Sequence, residues 1–227
     1  MIAYDPSVPL IFIHVPKCAG RSVSNIFRAW FGDQFYRHYY DERAGKMPQH
    51  RNLADLAKQN DPSVIYGHFN RHRNFGVEDY YSDAQQFMTI LRDPYEICLS
   101  TYFYTRKVGD DWKDQTRVPR SDLETYLRTT KINMLEHFPR PVTQDNYKDI
   151  IEEFFIDIGT VENLADSLHR AASKLNYSFN PKMLENSNVT ARNQIVPAEM
   201  QAQFRDQHPL EYAVYDYAAA KFATIQS

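Results

Sequence analysis

Two cysteines, seven glycines and no low-complexity tract occur in 227 residues. Two cysteines exclude a disulfide framework and suit a reducing compartment. So few glycines, without repeats, argue against a fibrous or disordered chain. No paired Cys/His spacing suits zinc and no carboxylate cluster suits calcium, so no metal is expected. The formal net charge is −3, which removes the broad basic field that nucleic-acid binding draws on. The apolar run Leu10-Ile11-Phe12-Ile13 is far too short to cross a membrane, and no later segment does better. No signal peptide is recognisable, so a cytoplasmic protein without a membrane span is expected.

What is present is enough to build a core. Hydrophobic residues make up 43%, with 16 Tyr and 14 Phe, and the length fits one α/β domain over residues 1–227. Leu10 to His14 reads as a buried strand between Pro9 and Pro16. Val23, Ile26, Phe27 and Trp30 then follow a helical i, i+3, i+4, i+7 pattern that Gly32 and Asp33 end. Residues 35–51 are polar, aromatic and basic, and read as a long loop or lid. Further strands are expected at Val64–Tyr66, Phe87–Leu91 and Phe154–Ile158. Helices are expected at Leu53–Ala57, from Pro94 to about Arg106, at Leu123–Leu127, at Leu164–Leu175 and after Pro197, the last with Tyr212, Tyr215, Ala219 and Phe222 on one face. Strands separated by helices imply a parallel sheet with helices on both faces.

Two strand–helix junctions carry chemistry. The first is His14-Val15-Pro16-Lys17-Cys18-Ala19-Gly20-Arg21-Ser22. A short loop with Lys and Gly between a strand and a helix start suits phosphate, because the helix terminus offers unpaired N–H groups and partial positive charge. Lys17 adds a compact full charge. It is not a Walker A loop, since Lys17 precedes Gly20 and no second Gly stands upstream. Cys18 lies beside Lys17 and a helix N terminus, both of which lower a thiol pKa; it reads either as a reactive thiol or as a small residue filling a tight loop. The second junction is Thr89-Ile90-Leu91-Arg92-Asp93-Pro94-Tyr95-Glu96, continuing to Ser100 and Tyr102. Asp93 reads as an N-cap, Pro94 as the first helical residue and Glu96 as completing a capping box. Ser100 stands about 10 Å along the helix, within reach of the Arg92 side chain. One phosphate can then take a guanidinium and a hydroxyl together.

The order Pro16-Lys17-x-x-Gly20-x-Ser22 resembles the 5′-phosphosulfate loop of sulfotransferases that use 3′-phosphoadenosine 5′-phosphosulfate (PAPS). Arg92-Asp93-Pro94 with Ser100 resembles their 3′-phosphate motif. The branch most resembled contains heparan sulfate 2-O-sulfotransferases and bacterial carbohydrate sulfotransferases, where Thr stands in place of Cys18 and Arg21. The resemblance extends more weakly to Ile65-Tyr66-Gly67-His68-Phe69, where relatives carry their presumed base, to Gly159-Thr160-Val161-Glu162, and to Asn186–Arg192, a late loop over the cofactor phosphates.

The resemblance implies an α/β, P-loop-like three-layer fold with a central parallel sheet flanked by helices. It implies PAPS as co-substrate, PAP (adenosine 3′,5′-bisphosphate) as product, and cofactor contacts from Pro16, Lys17, Cys18, Ala19, Gly20, Arg21, Ser22, Arg92, Ser100 and Arg192. Lys17 and His68 are the implied catalytic residues. His68 suits a base because neutral imidazole accepts a proton near physiological pH. His14 is a rival, with Asp41, Glu42 and His72 behind it.

Arg37, His38, Arg43, Lys46, His50 and Arg51, then Arg71, His72 and Arg73, interleave with Tyr36, Tyr39, Tyr40 and Phe69. They read as a site for a glycan or an anionic small molecule, or simply as a solvated charged loop. An ATP enzyme would need a Lys-Ser/Thr metal site and a Walker B acid, and neither is in register. A catalytically idle nucleotide-binding protein is the other alternative; the presence of Lys17, His68, Arg92 and Ser100 speaks against it.

Overall fold

In a computed structural model, five strands form one parallel sheet. The structure describes residues 2–111, 115–184 and 198–223. In chain order the elements are β1 (Leu10–Ile13), α1 (Gly20–Phe31), β2 (Phe35–His38), α2 (Leu53–Ala57), β3 (Val64–Gly67), α3 (Val77–Tyr80), β4 (Phe87–Leu91), α4 (Pro94–Val108), α5 (Leu123–Thr129), α6 (Tyr147–Phe154), β5 (Phe155–Thr160), α7 (Leu164–Leu175), α8 (Ala198–Gln207) and α9 (Pro209–Ala223). The sheet order is β2-β3-β1-β4-β5. This is the expected three-layer α/β fold.

Alternation along the central strand builds both faces. Ile11 and Ile13 join one apolar cluster with Phe155, Val214 and Ala218, while Leu10 and Phe12 join another with Val23, Phe27 and Leu168. A parallel strand buried on both faces is apolar throughout, which is why Leu10–Ile13 carries no polar residue. Each fully buried Phe contributes about 1.5–3 kcal/mol.

The sheet order also positions the site. The connection leaving β1 runs to one edge, toward β2, and the one leaving β4 runs to the other, toward β5. Adjacent strands whose chains depart in opposite directions open a crevice at their carboxyl ends, where α/β proteins bind ligands. Residues 14–22 and 92–96 follow those two strand ends.

Two expectations need correction. Residues 35–51 are not all loop: Phe35–His38 is the edge strand β2, paired in parallel with Val64–Gly67. Its exposed Arg37 and buried His38 hide a strand that tertiary pairing defines. On α9 the expected Tyr212, Tyr215, Ala219 and Phe222 do share one face, with Tyr212 and Phe222 buried and Tyr215 and Ala219 half-buried, and Val214 and Ala218 are buried beside them. Val214, Ala218 and Phe222 join the cluster under the sheet, with Tyr215 packed against it. The capping box at α4 is half-formed: Asp93 Oδ1 accepts from the amides of Tyr95 and Glu96, but the Asp93 amide donates to Glu162. Glu96 is drawn instead to the Arg92 guanidinium at 2.9 Å. A full charge outcompetes an amide for that carboxylate.

Candidate active site

The first loop is held in a rare conformation. Lys17 (φ 69°) and Ala19 (φ 54°) both occupy the left-handed region without being glycine, a cost of roughly 1–2 kcal/mol each. Such strain persists where surrounding contacts over-determine it, and it recurs at ligand-binding turns. Here Tyr66 donates to the Gly20 carbonyl (2.9 Å), Arg92 donates to the Lys17 carbonyl (3.3 Å), and the Cys18 amide bonds Val15 (3.2 Å). No side chain caps the N terminus of α1, and its first turn carries no acid. The leading amides of α1 are therefore free of side-chain caps in a setting suited to an anion.

Gly20 is dictated by its neighbour. A Cβ there would lie 1.7 Å from His14 Nε2 and 2.0 Å from Cε1. The imidazole and the start of α1 can share this space only if residue 20 has no side chain.

Lys17 points its ammonium over the Tyr104 ring, 3.3 Å from the centroid. Burial, aided by the nearby Arg92 charge, brings Lys17 down to about 8. The cation is thus poorly solvated, and a bound phosphate would restore its charge. Cys18 is fully buried, and burial pushes its thiol well above the usual range. The reactive-thiol reading fails, because desolvation outweighs the help from Arg92 and the helix terminus. Arg21 is exposed, while Pro16 and Ser22 are partly buried on the same loop.

At the second junction, Arg92 spans the two loops: Nη1 bonds the Lys17 carbonyl and Nη2 the Glu96 carboxylate. Ser100 is partly buried two turns into α4. The expected reach of Arg92 toward Ser100 is replaced here by the salt bridge to Glu96. Arg192 lies outside the described residues, as do Asn186–Ala191 and the helix start expected at Pro197.

Histidines gather beyond the loops. His68 follows β3 and His14 follows β1, and their rings stack at 4.4 Å between centroids. The His68 Nδ1–H donates to the His14 carbonyl at 2.5 Å. A carbonyl can only accept, so the neutral ring carries its proton on Nδ1 and leaves the Nε2 lone pair free. His14 Nδ1 shares a hydrogen bond of 2.8 Å with the Tyr39 hydroxyl, and His137 packs 5.9 Å from the His68 ring. Desolvation lowers His68 to about 4, despite the opposing His14 carbonyl; it lowers His137 to about 3 and His14 well below its usual range. At neutral pH the group is uncharged. Sequence reading missed His137 and Tyr39 as members, because only the fold brings residues 39, 68 and 137 together.

The basic segments flank this group unevenly. Arg37 lies over Tyr39, Arg51 over Tyr36 and Arg73 over Tyr40, at 5.2, 4.5 and 4.3 Å. Tyr39 meets His68 edge-on at 4.8 Å. Arg71, His72 and Arg73 are tied to carboxylates: Arg71 to Glu78 and Glu136, His72 to Glu136, Arg73 to Glu42. Of the weaker base candidates, Glu42 is thus engaged in an ion pair and His72 lies against the Glu136 carboxylate. Among the described residues, no group of three His, Cys, Asp or Glu could hold a metal, and no helix is long and apolar enough to cross a membrane.

Two nucleotide-suited loops at one crevice agree with the sequence comparison, in which residues 1–210 match the profile of the sulfotransferase family. The chain belongs to that family. This sulfotransferase has no match among curated proteins. Its fold is similar to that of mouse sulfotransferase SULT7A1 complexed with PAP, at 10% identity, covering 96% of this chain and 90% of that one, with a TM-score of 0.53. A sulfotransferase from Alicyclobacillus acidocaldarius also aligns, at 12% identity and TM-score 0.47, over 94% and 97% of the two chains.

Proposed function

We propose that this sulfotransferase moves a sulfuryl group from PAPS to an acceptor hydroxyl and releases PAP. The observation that carries the reading is the pairing of the two loops: Arg92, on the second, hydrogen-bonds the backbone of Lys17, on the first. A bisphosphorylated nucleotide is the ligand that uses both.

The residues present fit that nucleotide. Lys17, the amides of Ala19 through Ser22 and the Ser22 hydroxyl receive the 5′-phosphosulfate, with Pro16, Cys18 and Arg21 completing the loop. Arg92 and Ser100 take the 3′-phosphate, for which Arg92 exchanges its Glu96 partner. Arg192 is the expected closing contact. In the reaction the acceptor O–H gives its proton to His68 Nε2, and the oxygen attacks sulfur in line. The bond from sulfur to the bridging phosphate oxygen breaks, and that oxygen keeps the electron pair. Charge grows there, so Lys17 and the loop amides stabilise the transition state more than the ground state. The His14 carbonyl fixes the His68 tautomer throughout.

The acceptor we infer is a glycan or an anionic small molecule, because Arg37 lies over Tyr39, which meets His68 edge-on, and Arg51 over Tyr36 adds a second flat and cationic surface from the same basic segment. A cytoplasmic, single-domain enzyme remains our reading of the chain. The test is PAP release from PAPS across a panel of hydroxylated acceptors. His68→Ala should lose turnover by 10²-fold or more while keeping its PAP affinity. Near-normal turnover in that variant would remove His68 as base.

A further inference from the structure

The Arg92 loop leans on the C-terminal helix through two carboxylates. Asp93 Oδ1 accepts three hydrogen bonds: the amides of Tyr95 (2.8 Å) and Glu96 (3.3 Å) from within α4, and the hydroxyl of Tyr212 (3.1 Å) from α9. The Asp93 amide donates to Glu162 Oε1 at 3.0 Å, and Glu162 Oε2 accepts from the Tyr215 hydroxyl at 2.9 Å. Tyr212 and Tyr215 stand three apart on α9, so one stretch of that helix reaches both carboxylates. Glu162 itself is anchored where β5 ends, since the Val161 amide bonds the Leu91 carbonyl at 2.8 Å.

We propose that Tyr212 and Tyr215 are positioning residues for the 3′-phosphate site, acting through Asp93 and Glu162 on the backbone that carries Arg92. The inference rests on the PAPS reading above. Its physical basis is twofold. Arg92 must swing from Glu96 to a phosphate, and a side chain that changes partner needs a fixed root. The backbone at residue 93 is that root, held from one side by α4 and from the other by α9. The two carboxylates also sit near where a phosphate would bind. Giving their lone pairs hydroxyl and amide donors lowers the repulsion they exert on it. Tyr212 places its hydroxyl on that turn directly and Tyr215 acts on it through Glu162, while their rings pack in the apolar layer, Tyr212 in the cluster of α4, α5 and α8 and Tyr215 against the cluster under the sheet.

The test is calorimetric titration of the wild type, Tyr215→Phe and the double variant Tyr212→Phe/Tyr215→Phe with PAP and with adenosine 5′-phosphate, which lacks the 3′-phosphate. Phenylalanine keeps the ring packing, and Tyr215→Phe alone changes a half-buried position, so it supplies the answer if the double variant fails to fold. The expected result is that the wild type prefers PAP, and that this preference falls by roughly 10-fold per hydroxyl removed while adenosine 5′-phosphate binding stays within about 2-fold. Equal loss for both nucleotides assigns the tyrosines a general structural role and overturns the inference, as does an unchanged preference. A wild type that binds both nucleotides equally overturns the PAPS reading itself, and the inference with it.

Discussion

Replacing Gly20 with alanine reverses a familiar expectation. In a helix, Gly→Ala adds up to about 1 kcal/mol of stability through backbone entropy. Here the new methyl would sit 1.7 Å from His14 Nε2, about 2 Å inside ordinary contact distance. The imidazole must retreat. It then gives up its 2.8 Å bond to Tyr39 and its stacking on His68. Forcing a group into a filled site costs about 1–3 kcal/mol, and the lost hydrogen bond adds about 1 kcal/mol. After subtracting the helix gain, Gly20→Ala should lose about 1–3 kcal/mol, or roughly 3–10 °C in Tm for a chain of this size. The clash vanishes when the imidazole is gone, so in a His14→Ala background the same change should be neutral or stabilising. The coupling energy of the cycle is then about 2–4 kcal/mol. Urea denaturation of the four proteins measures it. Activity should fall too, by about 10–100-fold in kcat, because a shifted residue 14 moves the carbonyl that orients His68. A Gly20→Ala protein at least as stable as wild type, or one equally costly in both backgrounds, would refute the steric argument.

Other expectations are more direct. The kcat/KM profile should rise through about pH 4 as His68 loses its proton and fall above about pH 8 as Lys17 loses its own, since both report the free enzyme; a profile still rising at pH 9 would contradict the Lys17 assignment. Neutralising Arg37, Arg43 and Arg51 together should raise the acceptor KM several-fold and leave PAP affinity unchanged; an unchanged KM would remove them from acceptor binding. The buried Asp157 carboxylate bridges Arg170 at 2.8 Å and Lys174 at 2.9 Å, so Asp157→Ala strands two partly buried cations and should cost about 3 kcal/mol in denaturant titration. A loss under 1 kcal/mol would show that both cations escape to solvent. Cys18 should resist a thiol alkylating agent in the native protein and react on unfolding, as its burial requires; alkylation of the folded protein at the rate of a free thiol would contradict it.

Much of this fold is legible locally. β1, α1, β4 and the start of α4 carry their own signals: an apolar run, a 3.6-residue stripe, a carboxylate cap before proline. The two loops were legible for the same reason, since each lies within a few residues of a strand–helix boundary. What was not legible depends on residues far apart in sequence. β2 is a strand only because β3 pairs with it. Glu96 left the capping box because Arg92 was closer in charge and reach. The histidine group needs the β2, β3 and residue 137 segments at one place, and the Tyr212–Asp93 contact spans 119 residues. No periodicity announces such meetings.

The measurement that bears most directly on the central claim is calorimetric titration of the wild type with PAP, against ATP and adenosine 5′-phosphosulfate, repeated with Lys17→Ala/Arg92→Ala. The account predicts selective binding of PAP that the double variant loses. Equal affinity for ATP, or PAP binding that survives the double variant, would contradict the assignment of these two loops to the two phosphates.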